Sequence, residues 1–345
     1  CTSNLPDVAV VPSEHFNTVL YSGNGTTNAI TGVGFQPDLL WLKNRSQARA
    51  PVIYDVIRGV TKGWRSDTTA AEATSSSGYD LTAFNTDGFT VGEPENWNST
   101  NENSTNIVAW NWKMGGAGGT SHTQGTRDTT VSANQDAGQS VMYWTGAGSG
   151  PYTLGHGLSK APDVFIYKNM HDTSSVYVYH TSLSAPFSKR LLLNETDGEV
   201  SSIIVTATSS TLITVPDGGA TDSPNRLTGW AFHSVDGYSK VGSYTGNDNA
   251  DGAFVYTGFR PAWVLIKNTA ASGSWYLYDS VREPYNVVGK PLHPNSNSAE
   301  GGGADRLDIL SNGFKLRHTD SDLNDTETYI YLAFAETPFK YSNAR

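Results

Sequence analysis

Carboxylates, histidines and loop aromatics are the residues through which this chain could do chemistry, and their placement limits what they can do. Asp38 and Asp163 each follow a proline, and Asp55 and Asp279 each precede an arginine by three residues, Arg58 and Arg282. Glycoside hydrolysis needs two acids about 5–10 Å apart. Beside a proline, however, a carboxylate commonly bonds within a turn, and an Asp three residues before an Arg pairs with it across a turn. Turn bonding and ion pairing are the expected roles. Asp320-Ser321-Asp322-Leu323-Asn324-Asp325 sets oxygen atoms at alternating positions, like the front of an EF-hand loop, which makes Asp320, Asp322 and Asn324 candidate calcium ligands. Its sixth position holds Asp325 instead of Gly and its twelfth Tyr331 instead of Glu, so a hydrophilic hairpin tip is the competing reading. Asp248-Asn249-Ala250-Asp251 is a second acidic loop of this kind, and calcium is the only cofactor these residues suggest. His171 and His180 are the closest histidines and read as loop side chains before they read as a metal pair. No nucleophile elbow, phosphate-binding loop or complete dinucleotide fingerprint occurs, and a lone Cys1 excludes cysteine zinc sites. A non-enzymatic role is expected. Trp64 and Trp97 lie in stretches of variable length and are the candidate ligand-binding aromatics, since rings stack on apolar sugar faces. Trp41, Trp110, Trp230 and Trp263 recur in strand positions and read as core.

The chain has 33 acids and 23 bases among 345 residues, a formal charge of −10, so nucleic acid is not an expected partner. An aromatic content of 11% is too high for a disordered chain, and 35 glycines are too many for a helix bundle. With one cysteine there is no internal disulfide, and stability must come from packed cores. No apolar run approaches the ~18 residues of a membrane-spanning helix, so membrane insertion is not expected. The sequence opens on Cys1 without Met or a signal peptide, which reads as a start inside a longer polypeptide, a lipidated cysteine being the alternative.

What positions these residues is a unit that occurs three times. Each copy opens with a strand ending in a Gly turn: Leu20-Tyr21-Ser22-Gly23, Tyr143-Trp144-Thr145-Gly146 and Ser243-Tyr244-Thr245-Gly246. A block with Gly, Pro and an apolar strand ending in Lys-Asn follows, from Gly34 to Asn44, Gly157 to Asn169 and Gly258 to Asn268. The proline and the next aromatic strand keep one spacing, 17 residues from Pro37 to Tyr54, Pro162 to Tyr179 and Pro261 to Tyr278. Each copy closes on an aromatic strand around Trp110, Trp230 and Leu332. Runs such as Leu39 to Leu42 and Val264 to Ile266 suit strands buried on both faces. The pattern predicts an all-β chain of three tandem β-sandwich (jelly-roll-like) repeats with little helix, the best helical stretch being Thr68 to Ala73. The boundaries are 1–15 for a leader, 16–117, 138–236 and 237–345 for the repeats, and 118–137 for a linker or extended strand. The second copy lacks the Asn/Asp-Gly pair found at Asp87-Gly88 and Asn312-Gly313, which predicts a changed turn with the strand retained.

The segments Phe16 to Gly25, Gly32 to Asp38, Val108 to Lys113 and Ala333 to Arg345 resemble a C-terminal repeat region in large virion proteins of tailed phages, notably marine ones. Cys1 to Pro6 resembles the junction that follows upstream lectin-like domains in those proteins. The resemblance covers nearly the whole chain. It implies a segment of a tail fibre or related appendage on the virion surface, extracellular, working as an adhesin in host attachment through a surface glycan or other receptor. It further implies other virion proteins as partners and a homotrimer of the chain itself, and it transfers no catalytic residue. Two alternatives stand beside it: a purely structural decoration or filament subunit, and a polysaccharide depolymerase.

Overall fold

A computed structural model describes residues 10–95, 99–116, 118–148, 150–216 and 225–336. The chain is all-β, built of separate antiparallel sheets. The three copies use one strand plan. In the first, Phe16–Ser22, Leu39–Asn44, Val52–Asp55 and Asn106–Trp112 form a wide sheet, and Asn28–Thr31, Leu81–Asn85 and Gly88–Val91 form a narrow one. In the second, the wide sheet holds Gln139–Thr145, Val164–Asn169, Val176–His180 and Arg226–Phe232, and the narrow one Tyr152–Gly155, Ala207–Thr208 and Leu212–Val215. In the third, they are Ser239–Thr245, Pro261–Asn268, Tyr276–Asp279 and Thr328–Ala335, then Phe254–Tyr256, Leu307–Leu310 and Gly313–Leu316. We term the wide-sheet strands opening, lysine, aromatic and closing. The opening strand pairs with the closing strand and the second with the next to last, the nested pairing of a jelly roll. The lysines occupy one register position, Lys43 opposite Val108, Lys168 opposite Thr228 and Lys267 opposite Ile330. The glycine that starts each block, Gly34, Gly157 or Gly258, takes φ of +85°, +73° or +89°, a region other residues enter only with strain.

Three local expectations meet the structure differently. Of the two readings of residues 118–137, the structure has the extended strand: Thr120–His122 and Thr129–Asn134 extend the second wide sheet. The second copy keeps its strand Leu212–Val215, and its turn is made by Ser209, whose Oγ accepts from the Leu212 amide at 3.0 Å. Thr68 to Ala73 is not helical. Its backbone oxygens are taken by the next copy, Thr68 O by Lys168 Nζ at 3.5 Å and Thr69 O by the Ser174 amide at 2.8 Å, and a run this short cannot nucleate a helix alone.

Side chains alternate across the wide sheets, and both faces are buried. One face packs on the copy's own narrow sheet. Leu40, Leu42, Tyr54 and Phe89 line the first such interior, Phe165, Tyr179, Ile213 and Leu227 the second, and Val264, Ile266, Tyr278 and Phe314 the third. The other faces turn toward each other and build a fourth, larger interior from all three copies, including Trp41, Trp110, Ile166, Trp230, Trp263 and Phe334. Every pair of copies meets there. Trp41 lies 5.9 Å from Trp230, Trp112 lies 5.7 Å from Trp263, and Phe232 lies 5.8 Å from Phe334, measured between ring centroids. The tandem sandwiches therefore share one interior in addition to their own. The first copy touches the third as well as the second, and the recurring tryptophans belong to the common interior.

Candidate functional site

The junctions between copies are where the recurring polar residues converge. Leu39, Trp41 and Lys43 share a face of one strand, so the apolar pattern that points two side chains at the common interior also points the lysine there. Lys43, Lys168 and Lys267 are buried at that face. Each bonds a carbonyl in its own copy and one in another: Lys43 Nζ donates to Asn297 O at 3.0 Å, Lys168 to Thr68 O and Lys267 to Thr196 O at 3.0 Å. The order is cyclic, with the first copy reaching the third, the second the first and the third the second. Burial pulls each ammonium down to about 8. The asparagine after each lysine faces the other way and turns the chain. Asn44, Asn169 and Asn268 each accept two backbone amides, at 2.8 to 3.1 Å.

A second set of contacts crosses the same three junctions in the opposite sense. The amides of Glu72, Glu199 and Glu300 donate to Met170 O, Thr269 O and Arg45 O, at 3.1, 2.7 and 2.9 Å. The acceptor is in every case the residue after Lys-Asn. These glutamates lie 18, 20 and 22 residues after Tyr54, Tyr179 and Tyr278, and no motif marks them in the sequence. Asp55 and Asp279 make the expected cross-turn pairs, with Arg58 at 2.6 Å and Arg282 at 2.5 Å, and each arginine reaches on to the glutamate of its copy. Asp279 Oδ2 also accepts from Trp110 Nε1 of the first copy at 3.1 Å. Where the second copy has His180 in place of Asp, the ring approaches Tyr331 O of the third copy at 3.4 Å, and burial lowers its pKa to about 4. These acids are fixed inside the molecule, so their chemistry is structural.

Two of the junctions open at the surface into related crevices. One, between the first and second copies, has a volume of about 580 Å³ and is lined by Asp38, Lys113 and Asp136 among others. Asp38 is the turn-bonded carboxylate expected beside Pro37, accepting from Gln36 Nε2 and the Gly116 amide at 3.0 Å each, and burial raises its pKa. Asp163 departs from that expectation: its carboxylate is held across the sheet, accepting from the Ser234 amide and hydroxyl just after the closing strand at 2.8 and 2.9 Å. The other crevice, between the second and third copies, measures about 480 Å³, and both volumes are in the range of small-ligand sites. Lys160, Asp236, Lys240 and Tyr256 line it. Tyr256 is 62% exposed, and Phe254, two residues away on the same face of its strand, is 48% exposed. The site therefore combines an aromatic surface with a charged recess. Tyr256 lies two residues before Gly258, in a stretch where Tyr is not shared with the other copies, so repeat comparison could not single it out.

The residues singled out from sequence fare differently. Trp64 is not a loop aromatic: it lies on the strand Lys62–Arg65, is 2% exposed and packs 5.3 Å from Trp230 in the common interior. Trp97 lies outside the described residues. The calcium loop reading is also corrected, because Ser321–Asn324 is a short helix. Asp320 caps it through the Asp322 amide at 2.9 Å and pairs with Arg306. The Asp322 carboxylate accepts from Tyr276 OH and the Ser274 amide at 3.2 Å each. Asn324 is buried and donates to Asn249 O and His318 O at 2.7 and 2.9 Å. Their oxygens are used by the protein, and no cluster of His, Cys, Asp and Glu suited to a metal occurs among the described residues. His180 is buried and His171 is an exposed loop side chain beside Asp172.

Residues 11–338 match the family described as domain of unknown function DUF7483, and the chain belongs to that family. The match runs through all three copies. No curated protein matches the chain.

Proposed function

We propose that this chain is a non-enzymatic attachment module of a virion surface appendage of the tail-fibre type, which binds host-surface glycan at the crevices between its copies. The observation that supports this most is the crevice of about 480 Å³ lined by Tyr256, with Phe254 exposed two residues away on the same strand. Exposed rings on a rigid strand offer flat apolar area to a sugar face at little entropic cost. Asp55 and Asp279 are paired with buried arginines, and Asp38 and Asp163 are hydrogen-bonded within the protein, which supports recognition over hydrolysis at these carboxylates. As an appendage the protein works at the virion exterior beside other virion proteins and as a homotrimer, and several weak sites then add through multivalency. The test is binding of the intact protein to a glycan array, with Tyr256→Ala and Phe254→Ala alongside. Binding that weakens about tenfold on losing either ring agrees with the proposal, at ~1–1.5 kcal/mol per aromatic contact. Absence of binding to any glycan, with particles lacking the segment still adsorbing, refutes it. Mass measurement in solution tests the trimer.

A further inference from the structure

We infer that the crevice between the second and third copies selects saccharides carrying an anionic group, a carboxylate or a sulfate. The inference rests on the attachment reading and names the ligand class for one of its sites. Lys160 and Lys240 approach the crevice from different copies, both are exposed, and among the described residues neither has an ion-pair partner. Asp236 at the same wall has an interaction of its own, and the recess sets two ammonium groups against this one carboxylate. On a chain with a formal charge of −10 the two lysines are a local exception, in a recess where charge is less screened than on an open face. An ammonium on a flexible stem suits a carboxylate or sulfate as a point charge, and the neighbouring Tyr256 ring supplies the apolar surface for the sugar body. Hydroxyls of Ser239 and Thr257 line the recess, although their protons are directed to His233 O and Phe259 O at 3.2 and 2.6 Å. The charges, not the hydroxyls, are therefore what distinguishes this site.

The related crevice between the first and second copies provides an internal comparison. Its opening-strand acid, Asp136, stands three residues before Gln139 just as Asp236 stands three before Ser239. There Lys113 is set against two carboxylates, Asp38 and Asp136, with Gln36, Asn134 and Gln135 adding amides. That lining disfavours an anion and suits uncharged hydroxyls. The copies thus offer one strand plan with two differently charged recesses.

The experiment is titration calorimetry of the intact protein with three probes of equal length: a neutral β-linked glucose hexamer, an oligogalacturonate hexamer and a sulfated glucose hexamer. Each is run at 50 and 200 mM NaCl. At least one anionic probe is expected to bind about 2- to 30-fold more tightly than the neutral one at 50 mM, the gain from two exposed ion pairs, and to lose most of that advantage at 200 mM. Which anionic probe binds identifies the group. Lys160→Ala with Lys240→Ala removes the advantage, whereas Lys113→Ala, in the other crevice, leaves it; all three lysines are exposed, and near-UV circular dichroism checks that the fold is retained. An advantage that survives in the double variant overturns the inference. Equal binding of neutral and anionic probes overturns it too while leaving the attachment reading standing. Failure of all three probes, with no glycan bound on the array, removes both.

Discussion

Replacing Trp230 with alanine distinguishes a common interior from three private ones. The side chain comes from the closing strand of the second copy, is 2% exposed, and packs 5.9 Å from Trp41 and 5.3 Å from Trp64, both in the first copy. Truncating a buried tryptophan costs roughly 3–5 kcal/mol through lost contacts and the cavity left behind. How far that moves a thermal transition depends on the size of the unit that unfolds. Unfolding entropy is about 2.1 cal/mol/K per residue, so a unit of ~320 residues shifts by about 5–7 °C and one of ~100 residues by about 15–25 °C. Differential scanning calorimetry measures this directly. With the interior shared, one transition spans the chain, its calorimetric and van't Hoff enthalpies agree, and Trp230→Ala lowers it as a whole by the smaller amount. A wild-type scan with separate transitions, of which the variant moves only one and by the larger amount, refutes the reasoning.

The buried lysines give stability a distinctive alkaline dependence. Their pKa is about 8 in the folded chain and near 10.4 when unfolded, so the unfolded chain holds more protons between those values. Stability in urea should therefore rise from pH 8 to about 10, above which the buried tyrosines, whose pKa is raised by burial, reverse the trend. Replacing all three lysines with methionine should abolish the rise and cost about 1–3 kcal/mol for each junction carbonyl left without its donor. On the acid side, His156 and His180 titrate near 4 in the folded chain against about 6.5 unfolded, so stability is lost as pH falls from 6.5 towards 4. His180→Gln should reduce that slope in the same urea series. Asp320→Ala should lower stability by about 1 kcal/mol through the lost helix cap, and millimolar calcium should leave the melting temperature of the wild type unchanged; a calcium-dependent rise would restore the metal-loop reading.

The fold class was legible because turn residues and short apolar runs recur at a fixed interval, and three equal spacings of 17 residues are set by paired strands. The opening, lysine, aromatic and closing strands followed the same signal, as did the altered turn before Leu212. The common interior was half legible. Leu39 to Leu42 reads as buried on both faces, but a single narrow sheet can cover only one of them, and a continuous apolar run does not say what covers the other. Trp64 was misassigned for a related reason: its segment has no counterpart at the same spacing in the other copies, and variable spacing looks like a loop even when the chain runs as a strand of the wide sheet, paired on both sides. The Asp320 segment was misread because alternating oxygens serve a helix cap as well as they serve an ion. Buried Asp55 and Asp279 could be read as ion pairs from the i, i+3 arginine, whereas Glu72, Glu199 and Glu300 could not, since their junction contacts use backbone amides that any residue carries.

The closed arrangement depends on the contact between the first and third copies, which the chain's order does not require. The Glu300 amide, bonded to Arg45 O at 2.9 Å, reports on it alone, as the amides of Glu72 and Glu199 report on the other two junctions. Native-state hydrogen exchange of these three amides is the most direct measurement. All three should exchange as slowly as the closing strands and through the same global opening. A Glu300 amide that exchanges at the rate of an open loop, while Glu72 and Glu199 stay protected, would mean an unclosed row of sandwiches and contradict the account.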